Sequence, residues 1–270
     1  MDRSLSWISG FVLGSLLATP LAAAELTVEP RLTAGISFYN LDLDDELVVD
    51  NDVVDDVEYS DLLYVFGGGL TFVVNRFFVD VYGQYSFDGD ENLDLDVVAG
   101  GAAINGLAQD VDFERVETAL TVGYRVTDQF ATFIGFRYAD VDFDGSGLIN
   151  NVNADFSTEF SQKGPFIGAS YVVPKPIFRG SVVVNAAVAY LDGDLEAELS
   201  SDALADEVNF DVDGDAVGVN AGINWVAPLT NRLKLAIGAD VSQYSFKDDD
   251  NETDFDELIT RLRTEIRYSF

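Results

Sequence analysis

The sequence predicts an all-β fold: an antiparallel up-and-down transmembrane β-barrel of ten strands, with eight and twelve as the alternative counts. Three observations lead there. The chain closes on strict alternation, with Leu262, Thr264, Ile266, Tyr268 and Phe270 on one face and Arg261, Arg263, Glu265, Arg267 and Ser269 on the other. Successive strand residues point to opposite faces, so this segment has one apolar, aromatic side and one charged side. Hydrophobic residues make up 48% of the chain, with 20 Phe and 11 Tyr. Yet past the N-terminal segment no run reaches the ~20 continuous apolar residues of a transmembrane helix. Finally, a strand, a tight turn, a strand and an acidic connection recur every ~45–55 residues, as hairpin pairs do.

The elements follow in order. Residues 1–24 read as a secretory signal peptide: an apolar run from Ile8 to Leu21, then Ala22-Ala23-Ala24 as the cleavage box before Glu25. Its positive region is weak, because Asp2 offsets Arg3. The barrel then takes residues 25–270, with strand cores expected at 28–41, 60–74, 77–88, 112–126, 130–143, 156–173, 178–191, 215–227, 232–246 and 257–270. Each is long enough to cross a bilayer when tilted, which takes ~9–11 residues. Short turns are expected at Asn75-Arg76, Thr127-Asp128-Gln129, Pro174-Lys175-Pro176 and Pro228-Leu229-Thr230-Asn231. Long acidic loops are expected near 42–58, 88–111, 144–155, 192–213 and 247–256. Turns and loops fall on opposite ends, the asymmetry of short periplasmic turns and long extracellular loops.

Alternation is sharpest in three strands. In the third, Phe77, Val79, Val81, Tyr85 and Phe87 oppose Phe78, Asp80, Tyr82, Gln84 and Ser86. In the fourth, Val116, Leu120, Val122 and Tyr124 oppose Arg115, Glu117, Thr121 and Arg125. In the eighth, Val217, Val219, Ala221, Ile223 and Trp225 oppose Ala216, Gly218, Asn220, Gly222 and Asn224. The sixth changes phase: Phe156 and Phe160 set one, Ile167 and Tyr171 the other, so a bulge is expected near Lys163-Gly164-Pro165. Aromatics gather in two sets. Phe38, Tyr59, Tyr64, Tyr85, Phe87, Phe136 and Tyr138 lie toward the loops; Phe72, Phe77, Phe130, Tyr171, Trp225, Tyr268 and Phe270 lie toward the turns. Two interfacial girdles are the expectation.

Charge narrows the function. The net charge is −33, a surface that repels nucleic acid. Most acids sit in the expected loops, whereas many of the few basic residues fall on the lumen phase: Arg31, Arg115, Arg125, Arg137, Lys234, Arg261, Arg263 and Arg267. Asp80, Glu117, Asp240 and Glu265 share that phase. A buried charge costs several kcal/mol unless paired, so one reading is an ion-paired plug that fills a narrow lumen. The other is a narrow, anion-leaning pore. The chain has no Cys and therefore no disulfide; its stability must come from backbone pairing and closure of the sheet.

The aromatic C-terminal strand, the signal peptide, the alternating strands and the turn–loop asymmetry together resemble the bacterial outer-membrane β-barrel proteins of the small porin-like type. The resemblance covers residues 25–270 and implies residence in the outer membrane. It implies contact with outer-membrane lipid and lipopolysaccharide, and Tyr268 and Phe270 as the signal read by the barrel assembly machinery. The Gly usual five residues before the final aromatic is Glu265 here. Ten-stranded outer-membrane proteases use an Asp/His pair, and other barrel enzymes use a Ser with a His base. With no His anywhere in the chain, neither mechanism carries over, and no enzymatic activity or cofactor is expected. Asp140-Val141-Asp142-Phe143-Asp144-Gly145 opens like a calcium loop, but Asn151 stands where the closing Glu belongs. Asp140, Asp142 and Asp144 remain only as weak loop ligands for Ca²⁺ or Mg²⁺.

Overall fold

The computed structural model describes residues 26–43, 47–49, 52–54, 57–87, 93–99, 102–149, 152–201, 208–248 and 254–270. The expected signal peptide lies outside them. Ten long strands form the barrel: β1 (Leu26–Leu43), β2 (Val57–Val74), β3 (Phe77–Phe87), β4 (Ala102–Arg125), β5 (Phe130–Ile149), β6 (Val152–Val172), β7 (Ser181–Ser201), β8 (Val208–Pro228), β9 (Leu233–Asp248) and β10 (Asp254–Tyr268). Each pairs antiparallel with the next in sequence, and β10 returns to pair with β1, so the sheet closes without a free edge. Three shorter strands stand at the loop end, Leu47–Val49 paired with Asp52–Val54, and Leu93–Ala99 paired with the start of β4. No described helix is long and apolar enough to cross a membrane.

The four expected tight turns all lie at one end, and Asn75 makes its turn with a positive φ of 56°. A hydrogen-bonded bridge between Ile177 and Gly180 stiffens the turn between β6 and β7. That delays the start of β7 to Ser181 rather than 178.

The alternation of β3, β4 and β8 stands as expected, with apolar residues outside. At the loop end, however, the strands run well past the expected boundaries. Residues 192–201 continue β7 and 208–213 begin β8, where a loop was expected. Poor strand formers such as Asp and Glu hide this from propensity, but the alternation continues. Asp192, Asp194, Glu196 and Glu198 take one phase, and Leu191, Gly193 and Leu195 the other.

The phase keeps its direction while its chemistry inverts. On β5 the outward positions Ile134, Phe136 and Tyr138 give way to Asp140, Asp142 and Asp144, while inside Arg137 gives way to Val141 and Phe143. In the turn-side half the outer face is an apolar belt fit for lipid; in the loop-side half it is acidic and the interior is a packed apolar core. This inversion corrects the expected bulge in β6. Register is continuous through Tyr138↔Lys163, Arg137↔Gly164 and Phe136↔Pro165. Phe160 faces the core in the loop half, Ile167 and Tyr171 face outward in the belt, and no extra residue is needed. The register shift between β4 and β5 lies instead at Gln109/Val111.

Candidate functional site

The lumen holds three layers. At the loop end, Phe113, Phe143, Phe160, Phe246 and Phe255 are buried. Phe246 stacks on Phe255 at 4.4 Å between centroids, Phe160 meets Phe255 edge-on at 5.0 Å, and Phe113 meets Phe143 at 4.7 Å. Leu63, Leu191 and Ile259 belong to the same buried apolar cluster.

Beneath it lies a charged layer. Glu117 on β4 accepts from Arg115 Nε at 2.9 Å, Arg261 Nη1 at 2.7 Å and Arg137 Nη2 at 3.2 Å. Gln84 Nε2 donates to the same carboxylate at 2.9 Å. Arg115, only 2% exposed, also donates to Glu257, which receives Gln162 Nε2 at 3.1 Å. Arg261 Nε donates to Asp240 at 2.9 Å, and Arg263 pairs with the same carboxylate. The Arg137 guanidinium lies over the Tyr244 ring at 4.5 Å, joining this layer to the aromatic one. Four guanidiniums and three carboxylates thus hold one another where water is scarce, the condition under which buried charge is tolerated.

The turn-side third is open. A cavity of about 580 Å³ is bounded above by Glu117, Arg137 and Arg261 and reaches the turn end at Thr127–Phe130. Arg31 forks onto Asp80, with Nη2–Oδ2 at 2.7 Å, and lies 3.4 Å from Glu265, which also pairs with Arg267. Lys234 Nζ donates to Glu29 at 2.7 Å. Arg125 lines the mouth, and among the described residues its side chain has no ion-pair or hydrogen-bond partner. The rings of Phe78 on β3, Phe133 on β5 and Phe166 on β6 lie against glycines of neighbouring strands. A Cβ at Gly123, Gly168 or Gly135 would run into them, so glycine is what lets the rings leave the lumen free.

All twelve charges picked out in the sequence therefore stand at lumen positions. Most are drawn into two ion-paired groups, and Arg125 stands apart at the mouth. Sequence reading missed Glu257, Gln84 and Gln162 as members of the middle layer. Glu257 shares the odd phase of Arg261 and Arg263, which is the signal that could have found it. Asp140, Asp142 and Asp144 lie on strand β5, spread along its outer face, and not in a loop. Among the described residues no group of three acidic side chains is arranged to hold a metal ion. Tyr268 packs edge-on against Phe270 at 4.8 Å, and the Phe270 amide donates to the Val28 carbonyl at 3.1 Å, tying the C-terminus to β1.

No protein-family profile matches the chain, and no curated protein does. Solved structures match its fold. The outer membrane protease OmpT from Escherichia coli superposes with a TM-score of 0.62 at 9% identity, over 92% of this chain and 98% of that one. The translocator domain of autotransporter NalP from Neisseria meningitidis gives 0.45 at 10% identity, over 89% and 88%. A FadL homologue from Pseudomonas aeruginosa gives 0.36 at 10% identity, over 90% of each. The likeness to OmpT is one of fold alone, the closed antiparallel barrel.

Proposed function

We propose that this closed, apolar-belted barrel resides in a bacterial outer membrane, where it serves a structural or surface-interaction role and does not conduct. The turn end faces the periplasm and the acidic loop end the medium. One observation carries this reading: the buried aromatic layer and the charged layer beneath it occupy successive levels of the lumen. A hydrated ion would have to break both, separating guanidinium–carboxylate pairs in a low-dielectric interior. The belt supports contact with membrane lipid and lipopolysaccharide, and the exposed C-terminal Phe270 supports recognition by the assembly machinery. The acidic outer face of the loop half is left for partners in the medium. We read the chain as non-enzymatic, because it has no imidazole and its lumen carboxylates are held by guanidiniums and Lys234 rather than poised as acid and base.

Conductance in planar bilayers tests the proposal. The refolded barrel should show no steady unit conductance, and neither should Arg261→Gln. Stable openings in the unaltered protein, with ion selectivity that shifts in Arg261→Gln, would replace this reading with a narrow channel.

A further inference from the structure

The lumen below the aromatic layer is a cation-rich compartment inside an acidic protein. Among the described residues it holds eight cations: Arg31, Arg115, Arg125, Arg137, Lys234, Arg261, Arg263 and Arg267. Against them stand six carboxylates: Glu29, Asp80, Glu117, Asp240, Glu257 and Glu265. Counting Asp128 at the rim as a seventh acid still leaves positive charge in excess. The chain as a whole carries −33, so this excess is local, and it falls on Arg125, exposed at the cavity mouth. Positive charge in excess at the mouth of a cavity draws anions toward it. The Arg125 guanidinium, with no partner among the described residues, is the natural place for one.

The cavity walls add a second requirement. The face with Arg31 and Arg267 is polar, and the Phe133 and Phe166 rings of β5 and β6 across from it are apolar. The volume of about 580 Å³ lies in the range of small-molecule sites. Above it stand the ion pairs of Glu117, Arg137 and Arg261, and the cavity reaches the turn end. We infer that this pocket binds a small organic anion with an apolar body, its acid group on Arg125 and the neighbouring guanidiniums and its body on the phenylalanine wall. With the orientation proposed above, it is loaded from the periplasm; binding itself does not depend on that orientation or on the lack of conductance.

The test uses the refolded full barrel held in an amphipathic polymer, with radiolabelled phenylbutyrate as probe in equilibrium dialysis and phenylbutanol as the neutral comparator. Phenylbutyrate should bind saturably at one site and phenylbutanol at least about tenfold more weakly, the loss that one charge-assisted contact represents. Arg125→Gln should weaken phenylbutyrate by a similar factor. Ala131→Phe, at the position paired with Arg125 across β4 and β5, should block the mouth and abolish binding. Arg76→Gln, on a turn outside the pocket, should leave it unchanged. Absence of saturable binding, equal binding of the alcohol, or equal loss in Arg76→Gln and Arg125→Gln would overturn the inference. A misfolded Ala131→Phe leaves Arg125→Gln and the alcohol to decide it.

Discussion

Arg115 shows most clearly what a single side chain does here. It is buried to 2% exposure with one carboxylate on its own strand, Glu117, and another on β10, Glu257. Its outward neighbours Glu114 and Val116 are exposed, so alternation alone sends it inward. Removing one partner of a buried pair leaves the other charge uncompensated, at about 3–5 kcal/mol. Glu257→Ala should therefore lower unfolding stability in lipid vesicles by that order, read from urea titration. Replacing both partners, Arg115→Met with Glu257→Leu, should recover most of the loss. If the double variant is as unstable as the single one, the pair does more than balance charge.

Strands carry two further predictions. On the outer face beyond the belt, β5 and β6 oppose like charges, Asp142 directly across from Glu159. Partial burial, with Asp140 and the other nearby acids adding to it, raises both carboxyl pKa values above the ordinary range. A carboxyl whose folded pKa is raised stabilises the fold most below its unfolded pKa, and that contribution disappears as pH rises through the folded value. At neutral pH, Asp142→Asn with Glu159→Gln should then be more stable than the unaltered barrel. The difference should vanish on acidification through the carboxylate range. A difference that holds at every pH would mean that repulsion across this pair is not its cause. The C-terminal strand β10 closes the barrel by pairing with both β1 and β9. Its aromatic end sits at the turn-side edge of the belt, where such rings favour the interface. Phe270→Ser should slow insertion, seen as a lag in the folded, heat-modifiable band on gels; wild-type kinetics would remove Phe270 from the assembly step.

At the scale of the molecule, the barrel is a short apolar-belted cylinder with an acidic extension. The chain has no Cys, so single cysteines report its orientation. Asp213→Cys, exposed on the acidic outer face of β8, should react with an impermeant maleimide on intact cells. Asp128→Cys, in the turn between β4 and β5, should react only after the outer membrane is permeabilised. The reverse pattern would invert the proposed topology.

The local alternation of apolar and polar residues is a property of the sequence. It was enough to reveal the barrel class, the ten strands, the outward phase of β3, β4 and β8 and the inward phase of Arg261, Arg263 and Arg267, because period two needs only neighbouring residues to be read. What that pattern meant at each height was not local. Phe160 and Ile167 differ in phase, and from sequence the difference looked like a bulge; only the assembled cylinder shows one register passing from an apolar belt to an acidic wall. The acids of 192–201 looked like loop for the same reason. Partners were equally out of reach. Arg115 finds Glu257 across 142 residues and Arg261 finds Glu117 across 144, distances that only closure of β10 onto β1 spans. The turn-side cavity likewise depends on rings from one strand settling over glycines of the next, a fit between neighbours that no single strand contains.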